Sequence, residues 1–366
     1  MKILLLPNSF KGSISARETA RIFSCHLNKH HQVTSFPLSD GGDGFLDFFK
    51  ALDNAAKKIY CTAHDAFLNR KRTSYLFLSD NQTAVIETAQ ICGLGGVKKE
   101  NLDPLRASSF GVGEVILHAI KKGAKTIYIG LGGVACNDGG AGMAAACGVK
   151  FLNSKKEVVS LGTSPLLSLA QADIGPLKKL LKGVRFYAVA DVTNPMLGKN
   201  GSAKIFGPQK GASAQEIKEI DKALTVYARV TRNITGKDIA HTPSTAAAGA
   251  IAAGLYGYFN AKLLLGSDFL FQKAKLQTHF KKADLIITAE GKLDKQTFFG
   301  KAPLAVLKWA KKYKKPTLFV CGILEEKCLL KNPLAPEKVA VLSDFAPVEE
   351  TQKNPKKFLK IIAKNI

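Results

Sequence analysis

The chain has 366 residues, of which 46% are hydrophobic and 22% are charged. This composition is typical of folded globular proteins and excludes disordered, collagen-like and mucin-like chains. At about 150 residues per domain the length predicts two domains, with three as the alternative, and the net charge of +24 is the one unusual property. No apolar run approaches the roughly 20 residues of a membrane span, and no secretory signal is predicted, so we expect a cytoplasmic protein.

The N-terminal part of the chain predicts a strand, a helix and a second strand. A short apolar run at residues 3–6, stopped by Pro7, is typical of a buried strand. A helix is predicted over residues 15–27 with Ser13 as its N-cap, because serine oxygen accepts the first free N–H groups of a helix. Residues 33–36 form the second predicted strand.

The middle of the chain begins with a different pattern. Three predicted strands follow one another with only polar turns between them, which indicates hairpins. Helices then alternate with strands, so this part is a mixed α/β domain. Its predicted strands are residues 57–63, 73–78, 84–88, 126–130 and 185–190, and its predicted helices are residues 113–121, 140–147, 214–231 and 245–256.

The C-terminal part returns to alternation of strands and helices. Its predicted strands are residues 285–288, 317–321 and 339–342, and its predicted helices are residues 301–312 and 325–331. With the two N-terminal strands these make five parallel strands, which favours a flavodoxin-like sheet. We therefore predict an α/β protein with a discontinuous flavodoxin-like domain at residues 1–55 and 276–366, and an inserted mixed α/β domain at residues 56–275.

Polar, glycine-flanked loops follow five of the predicted strands. One such loop alone is most often an ordinary turn. Five of them favour a site, because ligands of open parallel sheets bind outside the carboxyl ends of the strands. We therefore predict an active-site cleft between the two domains. The loops are residues 8–13, 39–44, 130–142, 191–195 and 290–294.

The residues in these loops are suited to phosphoryl transfer. Glycines let backbone N–H groups approach phosphate oxygens, above all before a helix, as in residues 130–142. Carboxylates can hold Mg²⁺ or act as a general base, and Lys11 could hold an anion. P-loop, dinucleotide-binding and nucleophile-elbow motifs are missing from the sequence. The candidate carboxylates are Asp40, Asp43, Asp138, Asp191, Glu290 and Asp294.

The basic charge leaves two interpretations open. A basic surface can bind nucleic acid, but only eight of the 53 basic residues are arginine, the preferred reader of bases and phosphates. Dispersed lysine pairs favour a solvated surface. The seven cysteines form no Cys-x-x-Cys pair, so they predict neither a disulfide framework nor a zinc site.

Eight segments, in order and spanning nearly the whole chain, resemble motifs of the bacterial glycerate kinases. They include Gly-Gly-Val-Ala-Cys-Asn-Asp-Gly-Gly-Ala-Gly-Met, where the family has Ser and Thr in place of Val134 and Cys136. Asn8 stands where the family has Asp, and Lys292 where it has Arg. Residues 244–250 are poorer in glycine than their counterpart. The segments are residues 8–13, 39–44, 85–89, 109–114, 132–143, 191–198, 206–211 and 290–303.

The resemblance implies phosphorylation of D-glycerate with ATP and Mg²⁺ as cofactors, in two α/β domains with a cleft. Individual roles are our hypotheses from charge and position. Asp191 would accept the hydroxyl proton, and Lys11, counted with it as catalytic, would hold an anionic group together with Lys292. Asp40, Asp138 and Glu290 would bind Mg²⁺. The nucleotide phosphates would be held by Gly132, Gly133, Asn137, Gly139 and Gly140.

The residues leave one alternative function open and argue against another. A basic nucleic-acid-binding protein on a catalytically impaired kinase scaffold is the alternative, and a dehydrogenase lacks its dinucleotide fingerprint. The sequence leaves a homo-oligomer open, as it does the choice between 2- and 3-phosphoglycerate as product.

Overall fold

The structure is a computed structural model that describes residues 1–10, 12–39, 41–294, 297, 302–325 and 332–366. It contains two compact units, unit 1 with Met1–Asn54 and Gly266–Ile366, and unit 2 with Ala55–Leu265. The strands are β1 (Lys2–Pro7), β2 (Gln32–Ser35), β3 (Lys57–His64), β4 (Arg70–Phe77), β5 (Thr83–Glu87), β6 (Thr126–Gly130), β7 (Lys150–Asn153), β8 (Leu169–Asp173), β9 (Arg185–Ala190), β10 (Lys262–Leu265), β11 (Leu285–Leu293), β12 (Thr317–Leu324) and β13 (Lys338–Val341). The α-helices are α1 (Ala16–Leu27), α2 (Phe45–Leu52), α3 (Ala89–Cys92), α4 (Phe110–Lys121), α5 (Ala141–Ala146), α6 (Gly175–Leu180), α7 (Ser202–Phe206), α8 (Ala214–Thr235), α9 (Ala247–Phe259), α10 (Gly266–Lys273), α11 (Leu276–Lys282), α12 (Ala302–Lys312), α13 (Val348–Lys353) and α14 (Pro355–Lys364).

Unit 1 contains a five-stranded sheet in the order β2-β1-β11-β12-β13. All neighbours are parallel, and Ile3 lies opposite both Val33 and Leu285. This is the order of a flavodoxin-like sheet, so the predicted fold class is confirmed. Helices cover both faces of such a sheet, which is why β1 is an unbroken apolar run whose Leu5 is fully buried.

Unit 2 contains a six-stranded sheet in the order β3-β4-β5-β6-β9-β10. The first three strands are antiparallel and the remaining neighbours are parallel, so the predicted mixed domain with hairpins is confirmed. Its apolar core joins strand residues such as Ile127 and Phe186 to Val115 of α4, Leu224 of α8 and Ile251 of α9. The β7–β8 hairpin and β10 were not predicted.

Two details differ from the sequence-based expectations, and one predicted helix falls mostly outside the described residues. The N-cap of α1 is Ser15, whose hydroxyl accepts the Glu18 N–H at 3.1 Å, whereas the Ser13 hydroxyl donates to the Gln352 carbonyl. Residues 266–275 belong to unit 1, because Phe271 of α10 packs against the Trp309 ring. Of the predicted helix 325–331, only residue 325 lies within the described part of the chain.

The described cysteines are free, as expected from the sequence. In the part of the chain that the structure describes, no helix has the length and hydropathy to cross a bilayer. Within each unit the parallel strands bring the polar loops to one edge of the sheet. Unit 1 gathers the loops after β1, β2 and β11, and unit 2 gathers those after β6 and β9.

Candidate active site

The glycine-rich loop runs from the end of β6 to the start of α5. Its first half is tied to the chain around α3, because the Leu94 N–H donates to the Gly133 carbonyl and the Ala135 N–H donates to the Cys92 carbonyl. Gly133 is exposed, with a left-handed φ of 62° that glycine adopts without strain. Gly132 is half-buried beside it. The loop therefore presents Gly132 and Gly133 towards solvent.

Asp138 is fully buried and accepts five hydrogen bonds. Its Oδ2 accepts from the Ser109 N–H at 2.7 Å, the Ser109 hydroxyl at 2.9 Å, the Ser108 hydroxyl at 3.2 Å and the Gly142 N–H at 3.1 Å. Its Oδ1 accepts from the Gly140 N–H at 3.1 Å. Burial raises the pKa of Asp138, and the bonds from Ser109, Gly140 and Gly142 oppose that shift. A carboxylate enclosed by donors in this way holds the loop together, so this geometry does not favour the predicted Mg²⁺ ligand.

The N–H groups of Gly139 and Gly140 are occupied within the protein. The Gly139 N–H donates to the Gly249 carbonyl at 3.1 Å, and the Gly140 N–H donates to Asp138. A Cβ on Gly139 would lie 2.8 Å from the Tyr227 ring. These two glycines serve close packing in this structure, whereas the sequence predicted that they donate to phosphate.

The two departures from the family motif in this loop lie in the core. Val134 is 2% exposed and Cys136 is fully buried. Both belong to the apolar cluster of unit 2. The side chains at these positions face the protein interior, so the loss of their hydroxyl groups does not remove a donor from the ligand side of the loop.

Lys210 binds the middle of the glycine-rich loop from the protein interior. Its ammonium donates to the Cys136 carbonyl at 2.6 Å and to Asn137 Oδ1 at 3.0 Å, and the Asn137 amide donates to the Pro104 carbonyl at 3.4 Å. Lys210 is only 3% exposed, and this burial lowers its pKa. Asn137 therefore acts in the scaffold of the loop. Lys210 lies in the segment 206–211 that resembles a family motif, but it was missed as a site residue because the sequence does not show which of 45 lysines is buried.

A left-handed turn precedes the right-handed part of α9. Ala248, Gly249 and Ala250 have φ values of 53°, 61° and 64°. For a residue other than glycine this conformation costs roughly 1–2 kcal/mol, and such strain concentrates at functional sites. A Cβ on Gly249 would lie 1.9 Å from the Cys136 carbonyl oxygen. The predicted helix thus begins with a strained turn pressed against the glycine-rich loop.

Asp191 follows β9 directly and is half-buried. The register pairs Gly130 with Val189, so the loops after β6 and β9 begin side by side. The N–H groups of Ser244 and Ala246 donate to carbonyls in the loop after β9. Asp191, the glycine-rich loop and the left-handed turn therefore share one edge of the unit 2 sheet.

Two candidate residues of unit 1, Glu290 and Lys292, lie towards the end of β11. Glu290 is 6% exposed, and its Oε2 accepts from the Thr297 hydroxyl at 3.2 Å. Lys292 is exposed and forms an ion pair with Glu325 at 2.8 Å, which raises the pKa of Lys292. Glu290 and Lys292 border a cavity of about 230 Å³ that also reaches Ser9.

The structure leaves some predicted residues untested. Lys11 and Asp40 lie outside the described residues. Within the described ranges, no three His, Cys, Asp or Glu side chains are grouped as a metal site. This does not exclude Mg²⁺ from the site, because proteins commonly hold that ion with one or two carboxylates and the substrate phosphates.

Comparison with known proteins gives a consistent result over the whole chain. A sequence model described as the glycerate kinase family matches residues 3–366. A protein of Escherichia coli named glycerate 2-kinase is 37% identical over 329 residues, which cover 89% of this chain and 86% of the relative. A glycerate kinase of Halalkalibacterium halodurans is 35% identical over 325 residues, which cover 88% of this chain and 85% of the relative.

A solved structure is similar as well. A crystal structure of a Salmonella typhimurium LT2 protein assigned as glycerate kinase 2 superposes with a TM-score of 0.83 at 32% identity. The match covers 100% of this chain and 96% of that one.

The left-handed turn predicts that two substitutions in it change the free energy of unfolding in opposite directions. Gly249→Ala should lower the free energy of unfolding by about 3 kcal/mol, because its methyl group would overlap the Cys136 carbonyl. Ala248→Gly should raise it by roughly 1 kcal/mol, because glycine relieves the left-handed strain. Urea unfolding followed by circular dichroism measures both. The same change in the free energy of unfolding for both substitutions would contradict a left-handed conformation of this turn.

Burial of Lys210 yields a pH-dependent stability difference. The pKa of Lys210 is lower in the folded chain than in the unfolded chain. At a pH between these two pKa values, the unfolded chain therefore binds a proton that the folded chain has released. The free energy of unfolding should therefore rise with pH in the wild type relative to Lys210→Met. Lys218→Met, at an exposed lysine, controls for loss of a charge. A difference in the free energy of unfolding between wild type and Lys210→Met that stays constant up to about pH 10 would contradict a lowered pKa of Lys210.

Proposed function

This chain belongs to the glycerate kinase family, and on that premise we propose that it transfers the γ-phosphoryl group of ATP to a hydroxyl of D-glycerate. The observation that carries this proposal is identity above 30% to named glycerate kinases along nearly the whole chain. This similarity to named glycerate kinases does not favour the alternative function of a nucleic-acid-binding protein. The carboxylates Asp191 and Glu290 at the ends of parallel strands supply the chemistry that the proposal needs.

Asp191 is proposed as the group that accepts the hydroxyl proton. A general base must lie where the substrate can reach it and must remain ionised near neutral pH. Asp191 is half-buried at the carboxyl end of β9, where open parallel sheets bind their ligands. Neighbouring Asp138 cannot serve equally well, because its oxygen atoms are enclosed by protein donors.

The phosphate groups are proposed to meet the exposed half of the glycine-rich loop. Gly132 and Gly133 lie towards solvent, whereas Gly139 and Gly140 are packed. Lys292 supplies an exposed positive charge in unit 1. Lys11 remains a proposed second cation on the strength of its motif. Phosphoryl transfer depends mainly on positioning and charge stabilisation, which backbone donors and cations provide.

Glu290 and Asp40 remain the proposed ligands of Mg²⁺. The donor chemistry fits, because Mg²⁺ prefers hard oxygen ligands and needs few protein carboxylates. Glu290 lies at the border of the unit 1 cavity. When bound, the ion neutralises negative charge on the phosphate oxygens. Glu290 would hold the ion through its carboxylate, which is itself positioned because its Oε2 accepts a hydrogen bond from the Thr297 hydroxyl.

We propose the C2 hydroxyl as the acceptor, so that the product is 2-phosphoglycerate. The support is the name of the Escherichia coli relative, a glycerate 2-kinase at 37% identity. Proton-coupled ³¹P NMR of a reaction with ATP and D-glycerate should show a product phosphorus split into a doublet by the single proton on C2. A triplet from the two protons on C3 would contradict the proposed acceptor while leaving kinase activity in place.

The role of Asp191 is tested by Asp191→Asn. Removal of the general base should lower kcat by roughly 10²–10⁴-fold while the fold is retained. Asp173→Asn is the matched control, because Asp173 is an exposed carboxylate on the β7–β8 hairpin of the same unit. Steady-state ADP release measures kcat, and circular dichroism checks the fold. A kcat for Asp191→Asn within a few-fold of the control would remove Asp191 from this role.

A further inference from the structure

Unit 1 contains a cavity of about 230 Å³ at the carboxyl ends of its central strands. Its walls come from the loop after β1, from the ends of β11 and β12, and from α13. We propose that this cavity holds the nucleobase of the phosphoryl donor, an adenine ring. The inference rests on the proposed kinase function and specifies which part of the nucleotide is bound by unit 1.

The lining favours a flat apolar ring over a small polar acid. Four apolar side chains border the cavity, namely Phe10, Ile323, Leu342 and Pro355. A glycerate molecule placed against these four side chains would lose water from its carboxylate and hydroxyl groups and gain no hydrogen bond from them, which is costly. An adenine ring buries two apolar faces and can stack on an aromatic side chain.

The size of the cavity fits one ring system. Sites for drug-sized ligands have volumes of about 300–1,000 Å³, and this cavity is smaller, at about 230 Å³. Part of the wall is backbone without side chains, since Gly291 and Gly322 both border the cavity. Two adjacent glycines leave a flat surface without side chains, to which a planar ring can lie close.

Polar and charged groups border the same cavity and suit the remainder of a nucleotide. Glu290 and Lys292 border the cavity at the end of β11, and charged groups there suit phosphates and their counter-ion. Gln352 borders it from α13, which is tied to the loop after β1 by the 2.7 Å bond from the Ser13 hydroxyl to the Gln352 carbonyl. The Gln352 amide offers both a donor and an acceptor, as the edge of an adenine requires.

Adenosine, which carries the base but no phosphate, is the direct probe. Titration calorimetry should show that wild-type protein binds adenosine and that Ile323→Trp, which fills the half-buried cavity wall, weakens this binding at least tenfold. The matched control is Leu167→Trp, at a leucine of unit 2 that is 43% exposed, and it should bind adenosine as the wild type does. In kinetics, Ile323→Trp should raise the KM for ATP and leave the KM for D-glycerate unchanged.

Gln352→Ala provides a second variant that changes only an exposed side chain and so keeps the fold. It should reduce the preference for ATP over GTP in kcat/KM, with an unchanged circular dichroism spectrum. An unaltered ATP-to-GTP ratio, wild-type protein that does not bind adenosine, or a rise in the KM for D-glycerate alone in Ile323→Trp would each overturn the inference.

The proposed function can fail separately. Adenosine binding that Ile323→Trp abolishes, in protein that does not phosphorylate D-glycerate, would uphold the cavity as a nucleobase site and refute glycerate as the acceptor. Glycerate phosphorylation with adenosine binding unaffected by Ile323→Trp would uphold the function and refute the cavity assignment.

Discussion

The buried carboxylate of Asp138 is the interaction on which the candidate site of unit 2 depends. A carboxylate without access to water is tolerated only when donors replace its hydration, and here the Ser108–Ser109 segment and the N–H groups of Gly140 and Gly142 do so. These bonds fix the start of α5 against the start of α4. The removal of one partner would leave buried donors unsatisfied, which costs more than the bond itself contributes. The rear of the glycine-rich loop is therefore rigid.

The glycine-rich loop has a structural part and a part that is accessible to a ligand. Residues 137–142 form a scaffold, to which Lys210 and the left-handed turn at Gly249 add support from two other segments. Gly132, Gly133 and Asp191 lie on the more accessible side of the same sheet edge. Since preorganised donors stabilise developing charge without reorganisation, a rigid rear wall behind exposed backbone suits a phosphoryl-transfer enzyme.

The fold class predicted from the sequence is confirmed, whereas the roles of the individual site residues stay predictions. Buried parallel strands are continuous apolar runs, so residues 3–6 and 285–288 were located from the pattern alone. The Asn-Asp-Gly-Gly segment looks the same whether its N–H groups face a ligand or the core, because tertiary packing against Tyr227 and Gly249 makes the difference. The left-handed residues Ala248 and Ala250 were missed for a similar reason, since alanine is a strong helix former and the local sequence favours an ordinary helix.

The central claim is that this chain phosphorylates D-glycerate. The most direct test is the steady-state rate of ADP formation by purified protein with MgATP and D-glycerate, compared with L-glycerate and with no acceptor. We expect ADP formation that saturates with D-glycerate and exceeds both controls by orders of magnitude. An equal rate in all three reactions, from folded protein that binds MgATP, would contradict it and would point to another small hydroxy acid as the acceptor.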